Sequence, residues 1–185
     1  YQMKPWTEPR SVVIDAPADE KSPLEDQYQM TISYVIDEKC TNDNLMCDLD
    51  FLASMLGTTN NSPLYQSLVV PGLVKGVNMS LNTEKLYPSI SVTATGFLKE
   101  KSDEIEKIIF NVIRTFSEDT SEKVNQELFE RLDCYYHSIK LSNKKVPENF
   151  GLVLFYGFGE QWIHGSNPLE LIDFDKNLER SYEAC

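Results

Sequence analysis

Ser89-Ile-Ser-Val-Thr-Ala-Thr-Gly-Phe-Leu-Lys-Glu-Lys-Ser-Asp-Glu-Ile-Glu-Lys-Ile-Ile-Phe-Asn-Val-Ile-Arg-Thr-Phe116 changes its periodicity midway, and that change decides the fold class. In the first half Ile90, Val92 and Ala94 alternate with Ser89, Ser91, Thr93 and Thr95, the pattern of a strand with one buried and one polar face. In the second half Ile105, Ile108, Ile109, Val112, Ile113 and Phe116 recur at helical spacing. Ser102 is the expected cap of that helix, with Asp103 and Glu104 in the first turn, where the helix dipole favours acids.

Working toward the N-terminus, Val77, Met79 and Leu81 form a second alternating stretch, joined to the first by a short hairpin connection from Asn82 to Pro88. From about Asn42, Leu45, Leu49, Leu52, Ala53 and Leu56 lie on one helical face, with Gly57 placed to end the helix. The polar loop Thr58 to Asn61 leads to Ser62-Pro63, a cap followed by proline at the first helical position. The short helix carries Leu64, Tyr65, Leu68 and Val69 and should stop at Pro71-Gly72. Gln29 to Ile36 alternates with Met30, Ile32, Tyr34 and Ile36 on one face, and Ser11 to Asp15 reads as a further short strand. Between those two, Ala16 to Asp26 is a solvated loop, and residues 1–10 read as a connector arriving from an upstream domain.

Toward the C-terminus a second helix opens near Asp119, with Val124, Leu128, Leu132, Tyr135 and Ile139 along one face. Residues 148–164 are apolar almost all round and predict a buried helix, and Asn167-Pro168 starts a last one. Strands, a helix pair, strands and then helices make an α+β domain over residues 11–185, with helices packed on one face of a mostly antiparallel sheet.

The net charge of −12 repels phosphate backbones, and no basic cluster reverses it locally, so nucleic acid is not an expected partner. No run approaches the roughly 18 apolar residues of a membrane span, and a membrane is not expected either. The four cysteines contain no C-x-x-C pair, which favours a reducing compartment.

A hydrolytic zinc site needs three or more ligands, and helical forms place two histidines near a glutamate base. The two histidines, His137 and His164, sit on different expected helices, so neither a metal site nor a catalytic group is expected in this chain. His137 reads as a helix-surface residue and Cys134 as a packed thiol between tyrosines, and the acids Asp48/Asp50 and Asp173/Asp175 as solvated faces. No nucleophile elbow, P-loop or dinucleotide fingerprint is present.

Leu56-Gly57-Thr58, Ser62-Pro63-Leu64-Tyr65, Pro71-Gly72-Leu73 and Thr95-Gly96 follow one another in a fixed order, with Gly151-Leu152, Trp162-Ile163 and Pro168-Leu169-Glu170 later. This succession, over roughly residues 10 to 180, resembles the second, non-catalytic domain of insulinase-like zinc metallopeptidases of the presequence-protease and falcilysin-like branch. The loop Thr58 to Asn61 is one residue longer than that family's usual form, and Val70-Pro71 replaces a common glutamate-serine pair.

The resemblance implies a C-terminally truncated piece of a zinc-dependent endopeptidase that degrades unfolded peptides in an enclosed chamber. Zinc would be bound outside this chain, in the inverted H-x-x-E-H helix of another domain. The present domain would support the catalytic one and form part of the chamber wall, with Ser62 and Tyr65 as candidate chamber or motif positions, although capping and packing account for both. Implied partners are the remaining domains of the parent and peptide substrates, with self-association through exposed truncated surfaces, in an intracellular, organellar setting. The alternative is an inactive scaffold homologue of the kind found as core subunits of respiratory complexes.

Overall fold

The computed structural model describes residues 8–21, 23, 27–36, 43–82, 88–118, 122–143, 159, 179–180 and 182–183. Strand β1 (Tyr28–Val35) precedes helices α1 (Asp43–Gly57) and α2 (Pro63–Leu68); strands β2 (Gly76–Asn82) and β3 (Ser89–Phe97) follow, then helices α3 (Ser102–Glu118) and α4 (Glu122–Asn143). The sheet order is β1-β3-β2 and both pairings are antiparallel. The architecture is therefore α+β, as expected.

Register explains which residues enter the core. Val92 lies opposite Ile32 on one side and Met79 on the other, and Ala94 opposite Met30 and Val77. Opposed residues share a face, so one side of the sheet is apolar throughout. Val92, Ala94 and Met79 are buried there with Ala53 and Leu56 of α1, Leu64 and Leu68 of α2, and Ile105 and Ile109 of α3. The helices thus form a layer over one sheet face, held by apolar burial.

Helix α1 is buried on a second side as well. Phe51 packs with Leu132 and Tyr136 of α4 in a separate cluster, its ring edge-on to Tyr135 at 5.1 Å. The single-stripe reading of α1 missed this: Phe51 is buried, whereas Leu52 is 37% exposed. On α4 the buried tyrosine is Tyr136 rather than Tyr135, because Leu132 and Tyr136 are one turn apart and together face α1.

Two local expectations are corrected. Ser102 does not cap α3: a 3₁₀ turn at Lys99–Lys101 precedes it, Ser102 is already helical, and its hydroxyl donates to the Lys99 carbonyl at 2.6 Å. Ser11 to Asp15 forms no strand, and its aliphatic side chains stand in solvent. Strand propensity in Val and Ile needs a partner edge, and among the described residues none pairs with this segment. Strand β3 runs past Thr95-Gly96 to Phe97, with Gly96 (φ +72°) as the extra residue where the register shifts. The connector at residues 1–7, the hairpin turn 83–87 and the buried helix 148–164, Gly159 excepted, lie outside the described residues, as does the start of the last helix; residues 179–180 and 182–183 are helical. Among the described residues no helix is long and apolar enough to cross a membrane.

Gly57 and Gly72 separate two kinds of glycine requirement. A Cβ on Gly57 would meet Met79 Cβ at 2.4 Å and its backbone nitrogen at 2.8 Å, whereas Gly72 has open space but a φ of +77°. Gly57→Ala is expected to lower stability by about 2–3 kcal/mol through overpacking, and Gly72→Ala by about 1 kcal/mol through the left-handed backbone. Urea denaturation of both variants checks the order; equal losses would contradict it.

Candidate functional site

Alternation gives the sheet a second face of different chemistry. Gln29, Thr31, Ser33 and the half-exposed Val35 on β1, Asn78 and Ser80 on β2, and Ser89, Ser91, Thr93 and Thr95 on β3 all point away from the helix layer. None is charged, although a quarter of the chain is Asp, Glu, Lys or Arg. The hydroxyls satisfy one another across the strands: Thr31 and Thr93 are 3.2 Å apart, Ser33 and Ser91 2.8 Å, and Thr95 donates to the Gly76 carbonyl at 3.4 Å. Thr31, Ser33, Asn78 and Ser80 are exposed. The serine and threonine alternation marked this face as polar; its lack of charge, judged against the rest of the chain, was the signal that singles it out.

The candidate residues Ser62 and Tyr65 lie elsewhere, at the start of α2. Ser62 is wholly buried, and its Oγ accepts the Tyr65 amide at 3.4 Å with extended backbone at the cap (φ −66°, ψ 149°). Its own amide donates to Thr59 at 2.9 Å, Gln66 Nε2 donates to the Asn60 carbonyl at 2.8 Å, and the Arg131 guanidinium donates to the Asn61 carbonyl. The loop 58–62 is thereby tied to both α2 and α4. Tyr65 is half-buried, and its carbonyl receives the Val69 amide that closes α2.

Of the chemically capable side chains, His137 is exposed on α4, 3.4 Å from Asp133. Cys134 is exposed rather than packed. It lies roughly half a turn round α4 from the Leu132–Tyr136 stripe that faces α1. Asp48 and Asp50 are not simply solvated. Asp48 accepts from Arg180 at 3.2 Å, while burial raises the Asp50 carboxyl above its ordinary value, opposed by the hydroxyl of Tyr135 at 3.5 Å. His164, Asp173 and Asp175 lie outside the described residues. Among the described residues no group of three His, Cys, Asp or Glu is close enough to hold a metal, so they do not fit a zinc ion.

The helical residues near the C-terminus are fastened to α4 by polar contacts. Lys140 donates to Glu179 and to the Tyr136 hydroxyl, both at 2.8 Å, and Tyr182 donates to Asp133 at 2.7 Å. The Tyr136 and Tyr182 rings stack at 4.3 Å. The hydrogen bond to Lys140 holds the Glu179 carboxyl below its ordinary value, and the same contact raises Lys140.

The antiparallel sheet with helices layered on one face defines an α+β domain. The chain matches the Peptidase M16 inactive domain over residues 2–132 and belongs to that family. It is 27% identical over 179 residues to the mitochondrial presequence protease of Debaryomyces hansenii, covering 93% of this chain and 17% of that protein. It is 26% identical over 187 residues to the mitochondrial presequence protease of Xenopus laevis, covering 97% and 17%. The chain therefore spans about a sixth of the length of these relatives. Its fold is similar to the inactive peptidase domain of a Bordetella parapertussis protein described as a zinc protease (TM-score 0.59, 17% identity, 86% of this chain and 84% of that one).

Ser62→Ala should cost about 1 kcal/mol, the worth of a helix cap, whereas Ser102→Ala should stay within about 0.5 kcal/mol because Ser102 caps nothing. Denaturant midpoints decide between them, and equal effects would refute the two assignments. The Lys140–Glu179 pair predicts a pH window. A depressed Glu179 contributes stability above the ordinary glutamate value of 4.5 and loses it as pH falls through its lower folded value; a raised Lys140 contributes below its ordinary 10.5 and loses it as pH rises further. Near-ultraviolet circular dichroism of the Tyr136–Tyr182 stack should hold between those limits and fade on either side. In Lys140→Met the signal should be weaker throughout; an unchanged profile would sink the idea.

Proposed function

We propose that this domain is the non-catalytic partner of a zinc-dependent endopeptidase domain in a longer polypeptide, and that its uncharged sheet face is a section of the wall around unfolded peptide substrates. Membership of the inactive peptidase domain family and the presequence-protease relatives support the parent's activity. The observation that carries the wall assignment is the exposed face of Thr31, Ser33, Asn78 and Ser80, bare of charge in a chain with a net charge of −12.

A wall that meets peptides of varied sequence works best when it neither attracts nor repels one charge class. Charged walls enrich substrates of opposite sign and exclude the rest, and exposed apolar patches would hold them by hydrophobic contact. Hydroxyls already paired across strands do neither, because their bonding capacity is partly spent within the sheet. Ser62 and Tyr65 contribute by positioning: the capped turn holds α2 against the sheet. The zinc belongs to another domain of the parent, and the relatives' mitochondrial names support an organellar setting for it.

The test uses the parent protein. Peptide cleavage abolished by a chelator and restored by zinc is expected. Thr93→Glu, whose site faces the proposed wall, should slow acidic peptides relative to basic ones by about 3–10-fold, an electrostatic effect that salt reduces. Glu106→Lys on the outer surface of α3 serves as the control and should leave the ratio unchanged. Complete lack of chelator-sensitive cleavage would point to the scaffold reading instead. Cleavage with an unaltered charge preference in Thr93→Glu would remove the wall assignment alone.

A further inference from the structure

We draw no further inference here: the strongest candidate, the open groove between α2 and α3 lined by Pro63, Ile108, Val112 and Phe116, is an unpartnered apolar face among the described residues, and nothing in the structure shows what covers it.

Discussion

The end of α1 lies on β2 with no side chain between them. Gly57 is the residue at that contact, and a Cβ there would sit 2.4 Å from Met79 Cβ, well short of a van der Waals contact between two carbons. Because backbone meets strand so closely, Leu56 reaches the apolar sheet face beside Val92, while Phe51, earlier on the same helix, turns the other way to Leu132 and Tyr136. One helix therefore joins two otherwise separate apolar clusters. The turn that follows Gly57 inherits its position from this contact. Its carbonyls at Asn60 and Asn61 are held by Gln66 and Arg131, and its last residue, Ser62, caps α2 from a fully buried position.

With the helices fixed on one side, the opposite face of the sheet is left to its own chemistry. The solvated face of an antiparallel sheet is polar and often charged. This one carries small hydroxyls and amides instead, with cross-strand pairs at Thr31–Thr93 and Ser33–Ser91 that meet part of their bonding demand internally.

The parts of the fold legible in the sequence are those where a segment has one buried side. Strand β3 alternates cleanly because its two faces differ, and α3 shows its stripe because only Ile105, Ile109 and their neighbours turn inward. Helix α1 was harder to read. Burial on two sides spreads apolar residues round the helix, so Phe51 falls off the stripe drawn through Leu45, Leu49 and Leu52. Ser102 failed as a cap because a 3₁₀ turn at Lys99–Lys101 had already begun the winding, a matter of backbone geometry that residue type does not encode. Ser11 to Asp15 shows the converse limit: strand propensity is a property of residues, whereas a strand is a property of a pair. For the candidate site, Ser62 and Tyr65 stood out as motif positions of the family resemblance, and the cap at Ser62 was legible because capping signals are short and local. The neutral sheet face did not, since its meaning depends on comparison with the charge of the whole chain.

That difference bears on how a domain without catalytic residues can serve an enzyme. Catalytic groups must be placed to within a fraction of an ångström, which ties function to particular residues at particular spacings. A wall requires only that a class of side chain, uncharged and small, occupy alternate positions on strands of set register, and Ser, Thr or Asn will each suffice. The capped turn and Gly57 are held more narrowly by geometry: Ser62 caps α2 from a fully buried position, and a Cβ on Gly57 would meet Met79 Cβ at 2.4 Å. Under the proposed reading, the strict geometric demands on this chain fall on the capped turn and Gly57, and the sheet face asks only for uncharged side chains.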